Sequence, residues 1–322
     1  GILATRTARK AVTEKVETHL IDKAIDTAEV INGRMGALFQ FAEGLARMPA
    51  LRDNALSYSE KIAFLKKEVA YNNILVEAAL VDAQGKMYHT VSKEIISVKD
   101  RDWFKTAFNG GKFVMEPYIS RATNKMIITL SVPIYGDNRN ITGVLAIATA
   151  AEWLSDQIDD IVIGKTGYCH IISSSGLIVA HKDFDWVTKK FNGVEKGKQD
   201  ASFALYGKFI QSALDAEKSA IGFYEYNGNR YIASYAKIAA TGRTVIITAP
   251  VSEFMGTVNE LRLEMLIIGA VILLTTLFTV YLVARAMVKP INIVVSALKD
   301  IAQGEGDLTV RLPVHGNDEV TD

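Results

Sequence analysis

The stretch that decides the fold reads Ile74-Leu75-Val76-Glu77-Ala78-Ala79-Leu80-Val81-Asp82-Ala83-Gln84-Gly85-Lys86-Met87-Tyr88-His89-Thr90-Val91. It is apolar up to Val81 except for Glu77, turns at Asp82-Ala83-Gln84-Gly85 and resumes an extended pattern at Met87, which predicts a β-hairpin. The same grammar returns at residues 169–172, Ser173-Ser174-Ser175-Gly176 and residues 177–180, with the two turn glycines 91 residues apart. Two similar modules are implied.

Outward from each hairpin lies a charged, aromatic connection, residues 100–108 and 183–191, and then further strands. The first half continues with residues 125–134, a turn at Gly136-Asp137-Asn138 and residues 142–149. The second continues with residues 222–226, a turn at Asn227-Gly228-Asn229, and residues 231–238 and 244–250. Antiparallel sheets flanked by helices are expected, an α+β arrangement, with a helix over residues 152–160 joining the halves. Upstream, from Ala24, the apolar positions Ala28, Ile31, Met35, Leu38, Ala42 and Leu45 recur at alternating steps of 4 and 3. That is one helical stripe, ending before Pro49, and it predicts a stalk helix packed along its own domain, with a coiled-coil seam at other heights as the alternative.

Residues 265–284 are 20 consecutive positions without a charge, and about 20 helical residues span the hydrocarbon core of a bilayer. Arg285 and Lys289 follow the run closely whereas Arg262 and Glu264 cancel before it. The positive-inside bias therefore places the C-terminal side in the cytoplasm and residues 1–260 outside. The apolar start Gly1-Ile2-Leu3-Ala4 reads as the tail of a preceding, uncleaved span. The expectation is an inner-membrane, multi-pass protein with a periplasmic or extracellular sensor region.

At this point the sequence resembles the double Cache sensor domains of bacterial receptors, over most of residues 10–255. The resemblance is carried by Arg101-Asp102-Trp103-Phe104-Lys105-Thr106-Ala107, by Glu116-Pro117-Tyr118 with residues 127–133, and by Gly164-Lys165-Thr166-Gly167-Tyr168 with Ala180-His181-Lys182-Asp183. Beyond the span, Pro290 opens an amphipathic helix with Ile291, Val294, Leu298 and Ile301 on one face. Gly304-Glu305-Gly306-Asp307-Leu308-Thr309-Val310-Arg311-Leu312 and Asn317-Asp318-Glu319-Val320 follow. That order resembles a HAMP linker, and the connector is most similar to those of methyl-accepting chemotaxis proteins. The resemblance implies a stalk helix with two PAS-like antiparallel-sheet modules. Residues 1–50 would hold the end of a first span and the stalk, 51–160 a membrane-distal ligand-binding module, 161–260 a membrane-proximal module, and 285–322 an incomplete HAMP linker. It implies a homodimeric chemoreceptor acting on a cytoplasmic kinase through parts beyond these residues, the alternative being the sensory half of a histidine kinase or cyclic-dinucleotide enzyme.

The 36 Lys and Arg balance 36 Asp and Glu, so there is no electrostatic case for a nucleic-acid partner. Cys169 is alone and sits in an apolar run, which excludes an internal disulfide and reads as a buried small hydrophobe. The five histidines show no metal-ligand spacing, so no catalytic metal is expected. Gly193-x-x-x-Gly197-Lys198 is one residue short of a phosphate loop and is read as loop chemistry, and no Gly-x-Ser-x-Gly elbow occurs. Neither an enzymatic activity nor a cofactor is expected. By the resemblance, Arg101, Trp103, Phe104, Tyr118, Ser120 and Ala148 mark the distal ligand pocket. An arginine fork grips a carboxylate, and an indole offers an N–H donor and an apolar wall. Family members that bind free amino acids hold the ammonium with a tyrosine and two aspartates at the places taken here by Phe104, Ser120 and Ala148. The expected ligand is therefore a small molecule bearing a carboxylate without an α-ammonium. Amino acids, amines and purine-like rings stay open as alternatives through the hydroxyl and ring face of Tyr118.

Overall fold

The structure is a computed structural model and describes residues 2–303. It holds two compact units, one of residues 10–255 and one made of the remaining chain. The elements run α1 (Ile2–Ala46), α2 (Pro49–Arg52), α3 (Tyr58–Tyr71), β1 (Leu75–Asp82), β2 (Lys86–His89), β3 (Ile96–Ser97), α4 (Asp102–Phe108), β4 (Phe113–Val114), β5 (Tyr118–Ile119), β6 (Met126–Tyr135) and β7 (Ile141–Ala150). These strands form one antiparallel sheet in the order β3-β2-β1-β7-β6-β4, with β5 also paired to β6. After α5 (Glu152–Asp156) come β8 (Val162–Ile163), β9 (Gly167–Ile172), β10 (Ile178–His181), α6 (Asp185–Thr188), α7 (Gly193–Gln199), α8 (Ala204–Asp215), β11 (Ala220–Tyr226), β12 (Asn229–Ile238), β13 (Arg243–Pro250) and α9 (Val251–Ala302). The second sheet has the order β10-β9-β13-β12-β11, with β8 on β9.

The two hairpins are built by the same chemistry. In the first, the Asp82 carboxylate accepts from the backbone N–H of Gln84 and Lys86; in the second, the Ser173 hydroxyl oxygen accepts from Ser175 and Leu177. Each side chain satisfies the turn amides at the same two offsets. Gly85 and Gly176 follow at φ +82° and +85°, the left-handed region that glycine enters without steric cost.

Side chains alternate across a strand, so each sheet feeds two cores. On β1, Ala78 and Leu80 face a large core that also contains Leu20, Ala24, Ala28, Ile31, Met35, Leu38, Ala42 and Leu45 of α1, together with Ile171, Ile232, Val245 and Ile247 of the second sheet. The stripe read from the sequence is thus the shared spine of both sheets. The helix is tied to them by Ser234 Oγ donating to Leu20 O, by Ala240 N donating to Asn32 Oδ1, and by Arg34 donating to Gln157 O. Ala79 and Val81, on the opposite face of β1, pack with Met87, Trp103, Phe104, Ala107, Val144 and Ala146 under α4. The outer face of the second sheet packs Ile172, Tyr224, Tyr235 and Ile246 under Tyr206, Phe209 and Ile210 of α8.

Two local expectations are corrected. Residues 193–199 form helix α7, because the Asn192 side chain caps it by accepting from Val194 and Glu195. And Pro290 opens no new helix, since α9 runs through it for 52 residues. A proline inside a helix removes one ladder hydrogen bond without necessarily ending the element. Within α9, the helix over Leu263–Ser296 contains an 18-residue stretch with a mean hydropathy of 2.5 and is long and apolar enough to cross a membrane. Its threonine hydroxyls are satisfied locally, with Thr275, Thr276 and Thr279 donating to the carbonyls of Val271, Ile272 and Thr275. The connector at residues 304–312 and the Asp318-Glu319 pair lie outside the described residues.

Candidate ligand-binding site

On the α4 face of the first sheet, packing leaves a cavity of about 600 Å³. Small side chains make the room, since Ala79, Ala146 and Ala148 floor it where bulkier residues would fill it. Five of the six residues singled out in the sequence, Arg101, Trp103, Tyr118, Ser120 and Ala148, line this one cavity. Arg101 sits at the N-cap of α4 and is exposed; Trp103, two residues on, is buried, and its carbonyl accepts from Ser131 Oγ of β6 at 3.2 Å. The Tyr118 hydroxyl is 2.9 Å from Thr129 Oγ1, and burial pushes its phenol above the ordinary value. Phe104 stands apart from the other five. It lies outside the cavity lining and is buried in the core under α4, with its ring stacked on Phe108 at 5.3 Å and edge-on to Trp103 at 6.4 Å. Consecutive positions of a helix diverge by about 100°, so a helix that turns Trp103 to the cavity turns Phe104 away from it.

The structure adds residues that sequence reading missed. Glu77 lines the cavity and is only 4% exposed. Its Oε2 accepts from Ser120 Oγ at 2.9 Å and from Thr123 Oγ1 at 3.5 Å. Ser120 is held by its own turn, accepting from the N–H groups of Ala122 and Thr123. His89 of β2 also lines the cavity, its Nδ1 is buried without a hydrogen-bond partner, and burial lowers its pKa. The signal was present in the sequence: Glu77 is the one charged residue in the apolar run from Ile74 to Val81, and such a residue is placed there at a cost. Around the rim, Glu94, Arg121 and Lys190 are exposed. Lys190 comes from the loop after α6, so the second sheet's connections help close the cavity of the first.

The wall of the cavity is also bonded to the second sheet. Met115, which lines the cavity, accepts from Arg243 Nη2 at 2.7 Å, and Glu116 accepts from Ser175 Oγ at 2.7 Å. Arg243 is 3% exposed, and burial lowers its guanidinium to about 10 while the neighbouring Glu116 acts in the opposite direction. Arg243 begins β13, whose end at Pro250 passes directly into α9. In the first turn of α9, Glu253 accepts from the backbone N–H groups of Lys165 and Thr166 and from the Thr166 hydroxyl.

Comparison with known proteins follows this geometry. A Cache domain family model (dCache_1) matches residues 4–258, and a HAMP domain model matches residues 282–322. The chain is 23% identical to the methyl-accepting chemotaxis protein McpG of Pseudomonas putida over 97% of its length, and 27% identical to the methyl-accepting chemotaxis protein TlpA of Bacillus subtilis over 69%. It spans 47% of McpG and 30% of TlpA, about half of the one relative and under a third of the other. Among solved structures, the ligand-binding domain of the Pseudomonas fluorescens chemoreceptor CtaA, in complex with L-isoleucine, superimposes with a TM-score of 0.59 at 18% identity, covering 78% of this chain and 99% of that one. The chain accordingly belongs to the double Cache sensor family, with a HAMP domain following its Cache domain.

Proposed function

We propose that this chain is the sensory part of a transmembrane chemoreceptor that binds a small polar organic molecule in the first-sheet cavity. The observation that carries the reading is the continuity of the cavity with the membrane helix. Met115 lines the cavity and is bonded to Arg243, and Arg243 opens the strand that leads into α9. Ligand energy can cross a bilayer only as a displacement or population shift of such a helix. In this reading residues 51–160 bind the ligand, 161–260 transmit, 265–284 span the inner membrane, and 285–322 begin a HAMP linker. The protein is a homodimer, with the sensor outside and a chemotaxis kinase as the downstream partner. McpG and TlpA, named as methyl-accepting chemotaxis proteins, support the chemotaxis output over an enzyme output.

For the ligand, Arg101 supplies a fork for a carboxylate and Trp103 a wall and an N–H donor. The test is a thermal-unfolding screen of the chain in lipid nanodiscs against amino acids, carboxylic acids and amines. A ligand at 100 times its Kd raises the unfolding free energy by about 2.7 kcal/mol, a rise readily visible in Tm. At least one compound class is expected to raise Tm, with the rise lost in Arg101→Ala or Trp103→Ala. No response from the whole panel, or a response that both variants retain in full, would overturn the assignment of the cavity.

A further inference from the structure

We propose that Glu77 is the anionic anchor of this cavity, and that the ligand inserts a protonated amine toward it. The inference rests on the cavity being the ligand site, as argued above, and goes beyond it by naming the charge that the floor selects.

Three observations carry it. First, Glu77 is a buried carboxylate without a cation. No lysine or arginine lies within salt-bridge distance of it among the described residues, and its Oε1 accepts no hydrogen bond there; both hydroxyl donors, Ser120 and Thr123, go to Oε2. Oε1 is thus the oxygen left open to the cavity, where an entering cation meets a carboxylate with no competing ion pair. Second, the strand is shaped to present it. The register of β1 against β7 shifts between Leu75 and Glu77; Leu75 joins the α1 core, and from Glu77 onward the pairing is regular, so Glu77 shares the cavity-side face with Ala79 and Val81. Beyond the bulge Glu77 stands directly opposite Ala148, so the acidic group and an alanine of the floor are cross-strand neighbours. Third, the charges are sorted by depth. Arg101, Arg121 and Lys190 are all exposed at the rim, while Glu77 is in the floor. Exposed charges are screened by water and buried ones are not, so the deep part of the cavity selects a cation even though rim cations outnumber rim anions.

The ligand class follows. A molecule with its ammonium inward and a carboxylate or other acceptor at the rim satisfies both ends, so zwitterions and amines are favoured over simple carboxylic acids. This revises the expectation drawn from Phe104, Ser120 and Ala148. The cation-holding group has not been lost; it stands on the adjacent strand, and Ser120 holds it in place instead of binding ligand directly.

The test uses the chain in nanodiscs and calorimetric titration with matched triplets, each an L-amino acid, its desamino carboxylic acid and its decarboxylated amine. Amine-bearing members are expected to bind, and Glu77→Gln to weaken them tenfold or more with no such loss for any desamino acid that binds. Because Glu77→Gln could act by disturbing the fold, the double variant Glu77→Gln with Ala148→Asp is the control. It returns a carboxylate to the facing position and is expected to restore a substantial part of the amine affinity. Binding of desamino acids alone, sensitive to Arg101→Ala, would overturn the role of Glu77 while leaving the cavity as the ligand site. Amine binding undiminished by Glu77→Gln would overturn it too, and so would a Glu77→Gln loss that Ala148→Asp leaves entirely unrestored. Silence of all triplets would overturn it together with the functional reading on which it rests.

Discussion

Single residues in this protein show how burial decides chemistry. His170 of β9 is 1% exposed, its Nε2 meets the Tyr206 hydroxyl at 3.2 Å, its Nδ1 has no partner, and burial, aided by the neighbouring His181, lowers its pKa to about 3. The groups facing it are the rings of Tyr168, His181 and Tyr206, none of which supplies a compensating negative charge. An unfolded histidine titrates near 6.5, so between about pH 6.5 and 3 the unfolded chain binds a proton that the folded one refuses. The stabilisation from neutral His170 is therefore complete above pH 6.5 and falls with acidification, by up to about 1.4 kcal/mol per pH unit for one such group. Urea unfolding at pH 7.5 and pH 5 is expected to show the loss, and His170→Phe to flatten it; an unchanged pH slope in that variant would contradict the assignment. None of this was legible in the sequence, where His170 and His181 stand eleven positions apart. Glu77, by contrast, was conspicuous in its apolar strand, and alternation puts it on the face of Ala79 and Val81, but only the packing of α4 and β7 shows that this face holds a cavity.

Elements are where sequence patterns succeed or fail according to what they pack against. The alternating 3 and 4 spacing of α1 matches the residues that are buried, from Ala28 to Leu45. Gly193 and Gly197 misled, since glycine is a poor helix former by about 1 kcal/mol relative to alanine. Tertiary contact explains them. An added Cβ on Gly207 would stand 2.9 Å from both the Gly193 carbonyl oxygen and the Gly197 Cα, and one on Gly197 would stand 2.8 Å from the Gly207 Cα. Here α7 and α8 touch backbone to backbone, and backbone cannot rotate aside. Gly207→Ala gains about 1 kcal/mol in helix propensity but forces apart a packed contact at about 1–3 kcal/mol. The net effect is expected to be destabilising, read as a lower urea midpoint with unchanged m-value; a stabilised variant would show that the two helices can separate without cost.

Across the whole sensory unit, the two sheets share one core along α1 and one set of polar ties at the edge of the cavity. Arg243 is the most buried of these ties, and its bond to Met115 joins the second sheet to the cavity wall. Arg243→Met keeps the volume but strands the Met115 carbonyl, a loss of about 1–3 kcal/mol. Hydrogen exchange of residues 113–119 is expected to quicken by about tenfold or more, with exchange in the centre of β7 little changed; no change in the segment would remove Arg243 from the link between the sheets. What the sequence by itself determined is whatever repeats or persists along the chain: the paired hairpins, the helical stripe, the apolar run that becomes the candidate span, and the α+β class. Those signals are local, because strand alternation, helix period and bilayer thickness each act over a few to about 20 residues. Only the tertiary structure decided which side chains meet. Glu77 lies 71 positions from Ala148 and 43 from Ser120, and Arg243 lies 128 from Met115, yet each pair is joined across strands or between sheets. Such contacts are set by register, bulges and the closure of the core, which no short window of sequence encodes.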